Sequence, residues 1–254
     1  MTANPYPHNI GSIMSTPIPS YLPAANLVAA TTLDAVNDWR ADAARYAVLN
    51  RMMPALRHDV AGAMQPVRML LMVLERRLQN ADPDLDAIVK NVTSISTLTK
   101  LASVDVMRAM DWTASGEDVR VSLRSSVDEA IKLLALELTL KKMALVNGIA
   151  DDSATAPQSF LRSVFMGALL AFCDQNVEGG ILQVTVTSAA DSRQTSQLQL
   201  QLRMLPDDTG TSNVSLDVDR KYRVIEWPDV QAMAQSCGIQ MARGDGWLTL
   251  DLPK

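Results

Sequence analysis

Met53, Leu56, Val60, Ala63, Val67, Leu70 and Leu74 are separated by alternating steps of three and four. That spacing places all seven on one stripe of an α-helix and makes a seam for a second helix. The pattern predicts a helix over 32–80, with Thr32 as N-cap and Asp34 in its first turn. Pro54 and Pro66 fall inside it; each removes a backbone donor, so kinks are expected there. After a short Asn-Ala-Asp turn the same stepping returns at Leu85, Ile88, Val92 and Ile95. Asp82-Pro83 reads as the N-cap and first position of that second helix. Two such helices joined by a short turn make an antiparallel hairpin. A further stripe (Leu71, Val73 and Leu78; Leu98, Leu101 and Val104) finds no cover within one hairpin. Pairing two hairpins would bury it, which predicts a homodimeric four-helix bundle.

Beyond Trp112 the periodicity changes. TASGED (113–118) reads as a linker and VRVSL (119–123) as a strand. SSVDEAIKLLALELTLKKM reads as a helix with Ser126 at the cap and Glu129 three residues on. ALVNGI is a short strand, and PQSFLRSVFMGALLAFCDQ an apolar helix. ILQVTVTSAA, SQLQLQLRML and NVSLDVD read as three strands, two of them alternating with period two. WPDVQAMAQSCG is a helix stopped by Gly238, and the chain closes in a hairpin turned at Gly244-Asp245-Gly246. Strands in a consecutive run with helices on one face give an α+β fold of two layers. The expected organisation is therefore a tail over 1–31, a helical hairpin over 32–112 and a two-layer α/β sandwich over 118–254.

Composition narrows the function classes. The 254 residues are 48% hydrophobic with a formal net charge of −5. No Lys/Arg block is present, which argues against a nucleic-acid partner. Five prolines (Pro5, Pro7, Pro17, Pro19 and Pro23) forbid a regular helix over 1–31, which reads as a flexible tail. The longest apolar run, near MLLMVL, is too short to span a bilayer, and the N-terminus lacks the order of a signal peptide. A cytoplasmic protein without a membrane partner is expected. Cys173 and Cys237 have no metal-ligand spacing around them and read as small core residues in a reducing compartment.

Histidine is scarce: His8 in the tail and His58 in LRHDVAGAMQPVRMLLMVLERRL are the two in the chain. His58 lies two residues from both Leu56 and Val60, so it points away from the seam. Gly62, a costly residue inside a helix, stands one turn on, beside Ala61 and Ala63. Small neighbours would admit a bulky partner to the imidazole. An imidazole is a nucleophile near neutral pH, and Asp59 could orient the ring or take its proton. Spacing alone leaves open a plain solvated histidine beside a solvated acid.

The order of segments adds to this. LRHDVAGAMQP resembles the histidine box of the histidine kinase family. SSVDEAIKLLALELTLKKMAL resembles the first helix of that family's ATP-binding domain, and AQSCGIQMARGDGWLTLDLP its tail. The resemblance spans about 45–253. It implies a sandwich like the histidine kinase ATP-binding fold, with His58 as phosphoacceptor. It also implies what should be found for nucleotide, and here the sequence departs. Gly167 and Ala171 stand where the resemblance would put metal-holding asparagines; neither supplies the oxygen ligand that Mg²⁺ requires. The Gly-rich turn and lid are reduced to PDDTGTSN (206–213) and KYRVIEWPD (221–229), with Gly210 as the sole glycine. Gly62 lacks the amide or hydroxyl that the family's phosphatase activity uses four residues after the histidine, and Gln65 is a weak substitute.

Resemblance and departures together point to a histidine phosphotransfer protein. His58 would pass a phosphoryl group between the aspartates of response-regulator receiver domains, with Asp59 assisting. Arg57, Gly62, Gln65 and Arg68 would face the receiver. The chain would have no cofactor of its own, Mg²⁺ being supplied by the receiver. The alternatives are a pseudokinase scaffold that binds kinases or receivers without chemistry, and an active ATP-dependent kinase. Whether it counts as an enzyme stays open; the expected activity is that of a phosphotransferase with a phosphohistidine intermediate rather than an autokinase.

Overall fold

The computed structural model describes residues 24–113, 118–175, 180–190, 196–205 and 222–252. Helix α1 (Ala24–Leu78) runs without a break through Pro54 and Pro66. It begins eight residues before the expected Thr32 cap, so 24–31 are helical; the five prolines all precede that start. Helix α2 (Leu85–Asp111) follows, and its cap is Asp84 rather than Asp82. The Asp84 carboxylate accepts from the Ala87 N–H at 3.1 Å. Pro83 thus sits before the helix rather than in its first turn.

The seam behaves as its spacing requires on α1. Leu56 and Val67 are buried, while Met53, Val60, Ala63, Leu70 and Leu74 are half-buried. On α2, Ile88 and Ile95 are half-buried, but Leu85 and Val92 are exposed. The second stripe stays open: Leu71, Val73, Leu78, Leu101 and Val104 are exposed, and Leu98 is half-covered. Met64, Met69, Met72, Met107 and Met110 extend this apolar surface.

The α+β part opens with β1 (Arg120–Ser122) and α3 (Leu123–Leu140). The cap of α3 is Ser122, whose hydroxyl accepts from the Ser125 N–H at 3.2 Å. Ser126 is already in the helix and donates to the Ser122 carbonyl, so the expected capping box lies one turn too late. β2 (Met143–Asn147) follows, with Lys142 in the left-handed conformation (φ 51°) turning the chain into it. β3 (Thr155–Pro157) pairs antiparallel with β1; three residues carry too little alternation to announce a strand. The apolar helical stretch comprises one turn, α4 (Gln158–Phe160), a π-helical turn (Leu161–Phe165), and α5 (Met166–Gln175).

The main sheet has the order β2-β4-β5-β7-β6, where β4 is Gly180–Ala190, β5 Ser196–Leu205, β6 Met241–Gly244 and β7 Trp247–Asp251. β2 and β4 are parallel; the other neighbours are antiparallel. Leu182, Val184, Leu200, Leu202, Leu248 and Leu250 alternate along three strands and are fully buried. They face one helical layer made of α3, α5 and α6 (Trp227–Ser236). Gly238 (φ +66°) ends α6 and Gly246 (φ +69°) turns the last hairpin, both conformations that a Cβ disfavours. NVSLDVD, read above as a strand, lies outside the described residues, as do most of the linker and the segment 206–221.

One contribution to this core was not legible beforehand. Ala41, Ala44, Ala47, Val48, Met52 and Leu56 of α1 belong to the same buried cluster as the sheet and α5. Their steps of three and four continue the seam toward the N-terminus, and the alanines let the helix lie close. Residues 37–56 therefore pack on the α+β part, and 56–78 run on beyond it within the same helix.

Candidate functional site

His58 stands two residues beyond Leu56, the last α1 residue held in the α+β core. Its side chain is 88% exposed, and Nδ1 lies 3.6 Å from Asp59 Oδ1. That separation is within ion-pair reach and too long for a hydrogen bond. The ring's other nitrogen, Nε2, is on the opposite edge from Asp59. Helical spacing puts His58, Gly62 and Gln65 on one stripe and Arg57, Ala61 and Arg68 on the next. All six are exposed. A Cβ built on Gly62 meets nothing within 4 Å, so the space above this turn is open. The stripe is a convex helical surface with a nucleophilic nitrogen and two guanidinium groups; it encloses no substrate. Its chemistry suits an anion presented by another macromolecule.

A second cluster lies two turns N-terminal on the same helix. Arg51 forks onto Asp174 of α5, with Nη1–Oδ2 at 2.5 Å and Nη2–Oδ1 at 2.8 Å. It also reaches Glu137 of α3 through Nε, at 3.2 Å, and through Nη2. Asp174 further accepts from the Ile225 N–H at 2.9 Å. Three turns earlier, Arg40 Nε donates to Asp229 Oδ1 at 2.9 Å. Arg223 joins the same oxygen at 2.6 Å, and Asp229 Oδ2 accepts from the Glu226 N–H at 3.1 Å. Asp174 and Asp229 are both buried. Sequence reading passed over these residues, although a signal was present: Asp174 is the one acid in an otherwise apolar helix. A buried carboxylate requires a partner, but periodicity does not say which arginine supplies it.

Gly167 and Ala171, singled out above by resemblance, are buried within α5. A Cβ at Gly167 would collide with the Met233 methyl of α6 and lie 3.6 Å from Val48 Cγ2 of α1. Helix α1 and helix α6 thus fill the space over this turn of α5. Cys173, in the next turn, is walled in, and burial pushes its thiol up to about 12. Cys237 is exposed.

No family model and no curated protein matches the sequence. Solved structures do resemble it in outline. The Acinetobacter baumannii histidine kinase AdeS is 12% identical, over 74% of this chain and 96% of that one, with a TM-score of 0.39. The cytoplasmic segment of histidine kinase QseC is 9% identical, over 69% and 98%, at 0.37. The catalytic domain of histidine kinase ThkA is 10% identical, over 55% and 97%, at 0.36. Identities and TM-scores this low carry no function from one chain to another. The element order of this chain is a helical hairpin, then an α+β sandwich.

A cavity of about 130 Å³ opens where α2 ends against α3 and the π-helical turn, lined by Trp112, Ser125, Glu129, Gln158, Arg162 and Phe165. The Arg162 guanidinium lies 5.3 Å from the Trp112 ring centroid. Trp112 Nε1 donates to Glu129 at 3.5 Å. Burial lowers the Arg162 pKa. Ligand pockets for drug-sized molecules run to roughly 300–1,000 Å³, so this one is small for a nucleotide. Among the described residues no group of three or more His, Cys, Asp and Glu side chains could hold a metal, and no helix is long and apolar enough to cross a membrane.

Proposed function

We propose that this chain is a histidine phosphotransfer protein that relays phosphoryl groups between receiver-domain aspartates through His58. The observation that carries the reading is the 88% exposed imidazole on a convex helical face. His58 Nε2 attacks the phosphorus of an aspartyl phosphate; the P–N bond forms, the acyl phosphate P–O bond breaks, and the carboxylate leaves. In the second transfer another receiver's carboxylate attacks the same phosphorus and the imidazole departs. Nδ1, on the Asp59 side, carries the ring proton while Nε2 is phosphorylated, and the Asp59 carboxylate offsets the positive charge on the ring. The receiver's Mg²⁺ would neutralise charge on the phosphoryl oxygens. Arg57 and Arg68 complement an acidic receiver face.

The packing of Val48 and Met233 against Gly167 supports a chain that takes its phosphate from a protein rather than from ATP. The open apolar stripe on α1 and α2 supports pairing with a second copy. The test is phosphotransfer from a ³²P-labelled receiver. Label is expected on the wild type and absent from His58→Ala, with no binding of ATP by calorimetry. Receiver binding that survives His58→Ala, with no label on the wild type, would assign the chain to a scaffold. ATP binding with autophosphorylation would make it a kinase.

A further inference from the structure

We infer that Arg40 and Arg51 clamp the His58-bearing helix to the α+β sandwich, so that the imidazole and the sandwich move as one rigid body. Three independent observations meet in residues 37–56. The first is a continuous apolar stripe, Ala41, Ala44, Val48, Met52 and Leu56, that shares the buried core of the sandwich. The second is the pair of ion-pair clusters at its two ends. Arg40 and Arg51 are eleven residues apart, three helical turns, and so lie on one face of α1. Each reaches a buried carboxylate on a different helix, Asp229 of α6 and Asp174 of α5. The third is continuity: α1 has no break between Leu56 and His58, and two residues of helix leave no hinge.

The clamp is a matter of cost as well as geometry. Lifting α1 away would strip Asp174 of Arg51 and Asp229 of Arg40. Arg223 would remain on Asp229, whereas Asp174 would keep only the Ile225 N–H. Arg51 is the stronger holdfast for this reason, and it is the arginine nearer His58. Arg45, between the two, reaches the Ser236 hydroxyl at the end of α6 and adds a third attachment. A protein docked on the sandwich would therefore meet His58 at a fixed place and angle. This inference concerns mechanics and stands whether or not His58 carries phosphate.

Double electron–electron resonance on the full chain tests it. Nitroxides at Ala61→Cys and Ala242→Cys report the distance from the His58 turn to the far sheet edge. A second pair, Ala144→Cys and Ala242→Cys, spans the sheet from β2 to β6, roughly 19 Å for four strand spacings. All three positions are exposed. Cys237→Ser removes the reactive native thiol; Cys173 is buried and stays unlabelled. Labelled chains are diluted into unlabelled chains so that only intrachain pairs are read. One narrow 61–242 distance is expected in the wild type. Arg40→Ala with Arg51→Ala should lose it to a broad distribution while 144–242 stays narrow. A broad 61–242 distribution in the wild type, or a narrow one that survives the double substitution, overturns the proposal. If the double variant also loses the 144–242 distance, Arg40→Ala with Arg51→Met and Asp174→Leu, which leaves no buried charge uncompensated on α5, decides: broadening of 61–242 supports the clamp, and no change overturns it.

Discussion

His58 and Asp174 sit on or against the same helix and face opposite environments. One is an imidazole in open solvent beside a half-open acid; the other is a carboxylate enclosed by an arginine fork and a backbone N–H. His58 points outward by helical phase, two residues on from the buried Leu56; Asp174, on α5, is enclosed because Arg51 of α1 packs onto it. Gly62 belongs to the open side. Nothing lies within 4 Å of a Cβ there, and its backbone is not left-handed. Gly62→Ala should therefore raise stability by about 0.5–1 kcal/mol, read as a higher midpoint in thermal or urea unfolding. A drop in phosphotransfer in that more stable variant would place the receiver's backbone against this turn; unchanged transfer would show that the glycine does not matter for docking.

At the scale of elements, hairpin and sheet differ in how well their partners are defined. The sheet is complete within one chain: its buried leucines and valines meet α3, α5 and α6. The hairpin is not, because a two-helix unit has one internal seam and an apolar surplus on both helices. In α2 the polar positions do not compete for that face. Thr93, Thr97, Thr99 and Ser103 turn their hydroxyls back onto carbonyls one turn earlier, which satisfies them without a partner. In the proposed homodimer, Leu101→Glu removes about 2 kcal/mol of apolar burial per protomer. A two-fold interface counts that loss twice. The dissociation constant should rise by roughly a thousandfold, measured by analytical ultracentrifugation. A dimer of undiminished stability would move the interface off this stripe.

For the whole molecule, the decisive contact is between distant parts of the chain. Arg51 and Asp174 are 123 positions apart and join the helix of His58 to the helical layer over the sheet. Asp174→Ala leaves Arg51 with Glu137 alone and strands the Ile225 N–H. A cost of about 3–5 kcal/mol is expected, read from urea unfolding. Arg51→Met combined with Asp174→Leu should be less destabilising than the sum of the two single changes, because no buried charge is then left uncompensated. Additive losses would mean that the two side chains do not act as a pair.

Local physics decided most elements from the sequence. The three-four stepping of α1 and α2, the period-two alternation of β4 and β5, and the glycines that stop α6 and turn the last hairpin are short-range patterns, legible because each depends on a residue and its near neighbours. Boundaries were less legible where neighbours offered equivalent chemistry, as with Ser122 and Ser126 or Asp82 and Asp84. The outward direction of His58 also followed from phase alone. Tertiary structure decided what phase cannot express. The alanine-rich stretch 37–56 of α1 could have served the hairpin or the sandwich, since alanine fits either surface. It lies on the sandwich, where Asp174, buried by the folding of distant segments, takes its cation from Arg51 of this packed neighbour.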